Sequence, residues 1–251
     1  MRPLRYVCAS AALSTLLLWG CDSGPGQPQK AEETPKEAVA FAALWADNCR
    51  GCHGEDGRGG AAIALNNPVY LGVVADASMR AVIANGVRGT SMPAFARSAG
   101  GMLTDEKIDV MVRQMRARWS WPDYIDGDNP PSYTQPSTGN VEQGAVAYET
   151  YCAACHGPDG RGGSKASAIT NDSFLALMSD QALRTIVIAG RPELNAPDWR
   201  SYVKGKPMSD QEVTDVVAWL ASHRVEAPGQ PYSPPQDRQD SRALDPSHRL
   251  R

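Results

Sequence analysis

Histidine and cysteine are scarce in this sequence, with four and six copies in 251 residues. Phenylalanine is scarcer, with three. Neither sign of charge dominates: the formal balance is −3 at pH 7. That excludes the strongly basic footprint of a nucleic-acid binder, while leaving room for a locally charged docking patch. No convincing strand pattern and no βαβ rhythm is visible. The one long apolar run, Tyr6 to Trp19, is too short to span a bilayer comfortably. Alanine, glycine and proline make up much of the remainder, in a length that allows one or two domains.

The scarce residues are concentrated in two places. Cys49-Arg50-Gly51-Cys52-His53 is echoed by Cys152-Ala153-Ala154-Cys155-His156. Half a zinc site would need two more Cys or His near each motif, and only His223 and His248 are spare. A thioredoxin-like disulfide would need the missing βαβ pattern. The spacing Cys-x-x-Cys-His reads instead as c-type haem attachment. Two thiols one helical turn apart can add to the two vinyl groups on one porphyrin edge. The next residue then brings an imidazole under the ring as proximal iron ligand. Cys49, Cys52, Cys152 and Cys155 are therefore the attachment residues of two covalently bound haem c groups, and His53 and His156 the proximal ligands. Cys8 and Cys21 lie at the N-terminus, so no cysteine is left for a disulfide.

The first 21 residues are read as a targeting segment. Arg2 and Arg5 precede the apolar run, which ends in Leu18-Trp19-Gly20-Cys21 and turns polar at once. This resembles a bacterial lipoprotein signal, which implies lipidation at Cys21. Trp19 departs from the small residues usual there, which keeps an ordinary cleaved signal or an uncleaved anchor open. Asp22 after the lipidated Cys would imply retention at the inner membrane. Asp22 to Glu37 is rich in Pro, Gly, Gln and charge and reads as a flexible tether.

From residue 38 the chain runs twice through one pattern. Phe41, Leu44 and Trp45 lead at helical spacing into the first motif. Gly54 to Gly60 is a Gly-rich loop, Ser78 to Asn85 a helix stopped by Gly86, and Met92-Pro93 a loop. Thr104 caps a last helix striped by Ile108, Met111, Val112, Met115 and Trp119. After a Pro-rich stretch, Ala147, Tyr148 and Tyr151 lead into the second motif. Gly157 to Gly163 repeats the loop, and Gln181 to Ala189 is a helix stopped by Gly190. Ser209 to Glu212 opens a helix with a capping box. Both copies resemble class I cytochrome c domains. The resemblance implies an all-α fold of two tandem domains, residues 38–119 and 139–224, joined by a linker at 120–138. A tail at 225–251 reads as disordered.

The resemblance also implies a methionine across the iron from each histidine, its soft thioether stabilising the reduced metal. Met92 stands in the expected place, with Met79 expected in the core and Met102 as the apolar staple before the last helix. The second copy departs from the pattern. From Asn67 to Pro93 and Asn171 to Pro197 the copies align without a gap, and Met92 falls on Ala196. Met208 is the obvious substitute, yet it aligns with Leu103, the apolar residue just before the last helix. Lys204, Lys206 and Asn195 are other donors. Three states stay open for the second haem: an open or water-filled sixth position, Met208, or another donor. The first or third is expected over Met208. The carbonyl of Pro68 is expected to accept the first proximal imidazole N–H, though its aligned partner is Asp172. Arg58 and Arg161 are propionate partners or solvated loop residues. Trp45, Tyr148 and Trp199 are expected as core aromatics against porphyrin.

The expected function is electron transfer by a lipid-tethered dihaem cytochrome on the extracytoplasmic side of a bacterial membrane. Its partners would be redox proteins: a quinol-oxidising or dehydrogenase complex, and a terminal oxidase or reductase. No substrate pocket and no nucleic-acid partner is implied. The alternatives are a haem enzyme or ligand-binding subunit using an open second iron, and a structural or sensing subunit. Protein matured outside the cytoplasm should keep covalent tetrapyrrole through denaturing electrophoresis. Haem-stained gels and intact mass check this.

Overall fold

A computed structural model describes residues 35–225. The signal stretch, Cys21, the tether up to residue 34 and the tail from residue 226 lie outside the described residues. Among the described residues all regular structure is helical, apart from isolated bridges at Ala96–Leu103 and Arg191–Ala196. The first domain runs α1 (Pro35–Asn48), α2 (Arg50–His53), α3 (Pro68–Val73), α4 (Asp76–Asn85) and α5 (Asp105–Trp119). The second repeats the order as α6 (Val141–Tyr151), α7 (Ala153–His156), α8 (Asp172–Leu177), α9 (Asp180–Ala189) and α10 (Asp210–Ser222).

The expected caps form. Thr104 accepts the Lys107 N–H at the head of α5, and Ser209 with Glu212 closes a reciprocal capping box on α10. Helix α1 starts at Pro35, inside the stretch read as tether, where proline suits a first helical turn. Helices α3 and α8 were not anticipated. Asn67 and Asn171 nucleate them, each side chain accepting two N–H groups of the following turn. Met79 is buried as expected. Met102 is not the staple: it is 74% exposed, and its neighbour Leu103 is buried at 4%.

In each domain the first helix packs across the last. Gly144 permits the crossing of α6 and α10, since a Cβ there would stand 2.1 Å from the Asp215 carbonyl oxygen. The first domain fills the matching place with Phe41, stacked on Trp45 and edge-on to Trp119, with centroids 5.8 Å away in both cases. An arginine then pins the two short helices. Arg116, from inside α5, donates to the carbonyls of Leu71 and Val74 and to Asp76. In the second domain Arg224, beyond the end of α10, donates to Leu175, Met178 and Asp180, the matching acceptors.

The Pro-rich linker is not a loose spacer. The Ser132 carbonyl accepts from Arg184 Nε at 2.9 Å and Nη2 at 2.8 Å, and the Tyr133 carbonyl accepts from Gln181 at 2.8 Å. The Tyr133 ring lies 6.3 Å from that of Tyr70 on α3. Helix α3 packs on α9, and Asn67 Nδ2 donates to the Ala189 carbonyl at 2.9 Å across the two domains. Val69, Tyr70 and Leu71 thus share one apolar cluster with Leu183 and Ile188.

Arg184 and Arg80 do one job in two environments. Arg80 reaches Asp105 at 3.1 Å and Asp109 at 2.7 Å from a partly exposed site. Arg184 is 1% exposed, bonding Thr214 Oγ1 at 2.9 Å, the linker and Asp210. Its loss strands buried partners, so Arg184→Met should lower stability by about 3 kcal/mol. Arg80→Met should cost clearly less, since exposed pairs contribute little. Denaturant midpoints of the haem-loaded variants check both.

Candidate functional site

Each Cys-x-x-Cys-His run forms where a helix ends and a one-turn helix restarts. Cys49 N–H donates to the Trp45 carbonyl at 2.9 Å, and His53 N–H to the Cys49 carbonyl at 3.0 Å. In the second copy Cys152 N–H donates to Tyr148 at 2.8 Å and His156 N–H to Cys152 at 3.0 Å. The turn sets the two thiols of a run close together. All four cysteines are free. Burial, with Cys52 beside it, pushes the Cys49 thiol up to about 11. Burial, with Cys155 beside it, pushes Cys152 up to about 12. Both shifts run opposite to the lowering that activates a thiol for disulfide exchange.

The imidazoles are oriented by backbone. His53 Nδ1–H donates to the Ile63 carbonyl at 2.9 Å, and His156 Nδ1–H to the Ser167 carbonyl at 2.8 Å. A carbonyl only accepts, so the proton is on Nδ1 and the lone pair on Nε2, the arrangement of a metal-binding histidine. Ile63 and Ser167 occupy matching places ahead of Asn67 and Asn171. This corrects the expectation for Pro68: both domains use the loop carbonyl, and neither Pro68 nor Asp172 is needed. Burial lowers the His53 pKa, against the upward pull of the hydrogen bond to Ile63.

The loop behind each histidine is tied to the first helix. Trp45 Nε1 donates to the carbonyls of Gly54 at 3.1 Å and Glu55 at 2.8 Å. Tyr148 Oη donates to Gly157 at 2.6 Å. Both are core aromatics as expected, and Tyr148 stacks on Trp219 at 4.0 Å. Trp199 is buried at 2%. Arg58 and Arg161 are exposed on the loops. His223 caps α10 and donates from Nδ1 to the Trp219 carbonyl at 2.8 Å.

Met92 is half-buried in a loop closed by the Val87 N–H, 3.0 Å from the Met92 carbonyl. The loop leaves α4 through Gly86 at φ +66, a conformation that favours glycine. The second domain reproduces this backbone through Gly190 at φ +66, with Arg191 N–H 3.0 Å from the Ala196 carbonyl. Met208 is buried at 6%, and its N–H donates to Trp199 at 2.7 Å, as Leu103 donates to Phe95 at 2.7 Å. Met208 therefore occupies the staple position.

No group of three or more His, Cys, Asp or Glu among the described residues could hold a bare metal ion. The donor set fits a metal that arrives with its own equatorial ligands. Cys49, Cys52 and His53 would hold one haem, and Cys152, Cys155 and His156 a second. A helical fold carrying this apparatus twice defines a dihaem c-type cytochrome. The family profile described as cytochrome c oxidase, cbb3-type, subunit III matches residues 36–113 and 139–220, and the chain belongs to that family. Its cofactors are two covalently bound haem c groups.

Among curated relatives, the cbb3-type cytochrome c oxidase subunit CcoP of Azospirillum sp. (strain B510) is 30% identical over 127 residues. That alignment covers 46% of this chain and 38% of the relative. The subunit FixP of Sinorhizobium medicae (strain WSM419) is 30% identical over 138 residues, covering 51% and 42%. The matches thus span about two fifths of those relatives. Among solved structures, the Kuenenia stuttgartiensis reducing HAO-like protein complex aligns at 18% identity and TM-score 0.44, covering 79% of this chain and 99% of that one. The thiosulfate dehydrogenase TsdBA from Marichromatium purpuratum aligns at 18% and TM-score 0.29, covering 78% and 48%.

The two methionines should separate cleanly. Met92→Ala should abolish the methionine–iron charge-transfer band and lower one haem potential. Met208→Leu should leave the band intact and cost less than about 1.5 kcal/mol, as a near volume-conserving core exchange. Optical spectra and denaturation curves check the pair.

Proposed function

We propose that this chain is an electron carrier that passes single electrons between membrane redox complexes. The observation that carries the reading is the duplication of the whole proximal apparatus: thiol pair, Nδ1-anchored histidine and aromatic tie. Haem iron, when bound, supplies a one-electron couple. The protein's part is to hold that couple with little rearrangement. His53 and His156 are pre-oriented by the Ile63 and Ser167 carbonyls, so neither ring need turn when charge changes. Met92 is the sixth ligand of the first haem in this reading, favouring the reduced metal. Helix α3 against α9 keeps the two domains in fixed register.

The curated relatives named as subunits of cbb3-type oxidases support a place in a respiratory chain. We assign the donor as a quinol-oxidising or dehydrogenase complex and the acceptor as a terminal oxidase or reductase. Cys21 carries the lipid that tethers the chain outside the cytoplasm. Among the described residues no helix is long and apolar enough to cross a membrane.

An optical redox titration of the intact protein tests the carrier role. Two reversible one-electron components are expected, and His53→Ala and His156→Ala should each perturb one of them. A chain that keeps normal respiratory electron flow with both histidines replaced would refute it. Cys21→Ser should move the protein from the membrane to the soluble fraction.

A further inference from the structure

The second domain places a methyl group where the first places a thioether. The backbone fixes the equivalence: a glycine at φ +66, then a hydrogen bond at 3.0 Å closing on Met92 in one copy and on Ala196 in the other. Alanine has no lone pair to give a metal. Met208 is buried in the core, its N–H bonded to the Trp199 carbonyl as the Leu103 N–H is to that of Phe95. Lys204 and Lys206 are exposed, with the Lys206 ammonium over the Tyr151 ring at 5.4 Å, and an ammonium must shed a proton before it can ligate. Asn195 is exposed in a left-handed turn at φ +60.

Ala196 also lines a cleft between the domains. Asn67, Pro68 and Val69 form one wall, and Pro192, Ala196 and Tyr202 line the other, around about 420 Å³. At about 30 Å³ per water molecule, that admits ligands of several heavy atoms. Among the described residues that line it, the only charged one is Asp198, whose carboxylate is taken by Arg200 at 2.7 Å. None of these lining residues is a cation that would draw in an anion.

We infer that the second haem binds a small neutral ligand, of the class of carbon monoxide, nitric oxide or imidazole, at the coordination position Ala196 leaves without a protein donor. The interdomain cleft is its way in. This rests on haem attachment at Cys152, Cys155 and His156, as the carrier role does. The second domain is then a ligand-responsive site.

Carbon monoxide titration of the dithionite-reduced, full-length holoprotein tests it, after haem content is fixed by pyridine haemochrome. Fewer than two haems per chain would overturn the dihaem reading itself. With two haems present, one carbon monoxide per chain is expected; none, or two, overturns this inference alone. Ala196→Met should abolish binding and add a second methionine–iron band, and binding that persists in a folded variant overturns the site. Should that variant fail to fold, Met208→Leu still decides: unchanged stoichiometry supports the assignment, and a changed one overturns it. Pro192→Trp should slow rebinding after flash photolysis several-fold without altering the spectrum; an unaltered rate overturns the cleft as the route. The ferric protein should bind imidazole more tightly than azide, and the reverse order overturns the preference for neutral ligands.

Discussion

One hydrogen bond organises each half of this molecule: the proximal imidazole Nδ1–H donated to a loop carbonyl, Ile63 in one domain and Ser167 in the other. It fixes the tautomer, aims Nε2 away from the loop and sets the ring plane. The surroundings serve it. The Gly-rich loop must return past the motif to deliver the carbonyl, and a Cβ at Gly60 would stand 2.1 Å from the Cys52 carbonyl oxygen. Trp45 and Tyr148 hold the near end of that loop to the first helix. Asn67 and Asn171 start the short helix that follows the far end.

The two domains reach this geometry with different residues. Phe41 fills the helix crossing in one, whereas Gly144 closes it in the other. Arg116 reaches its three acceptors from within a helix, and Arg224 reaches the matching three from beyond a helix end. A carbonyl at a given point in space accepts from any donor that arrives with the right direction. What the duplication keeps is the set of acceptors, and the donors are free to move along the chain.

That explains what could be read in advance. The attachment motifs carry their chemistry in side chains at fixed spacing, so Cys49, Cys52, His53 and their counterparts were legible. The caps Thr104 and Ser209 were legible for the same reason. The Ile63 and Ser167 carbonyls were not, because a backbone acceptor leaves no mark in the residue letter. Of the two apolar residues before α5, Met102 and Leu103, only Leu103 is the staple, and the bend of the chain rather than the residue type decides which side chain turns inward. Helices α3 and α8 are too short for periodicity to announce. Only the Asn before each carried a signal. The linker's Pro-rich composition marks a boundary but names no partner, and its order comes from Arg184 and Gln181 in the second domain.

The asymmetry between the domains has a direction. His53 is buried at 8%, while His156 is half-buried. On the proposed ligation, a soft sulfur faces the first iron and no protein donor faces the second. Sulfur ligation favours the reduced metal, so on that ligation the second potential lies below the first. A shared core keeps the domains from adjusting independently. An exogenous ligand that prefers the reduced second iron would then raise the lower potential towards the higher one, narrowing the gap that sets the order of electron residence. On that inferred ligation, alanine in place of methionine makes the preferred direction of transfer depend on what binds the second iron.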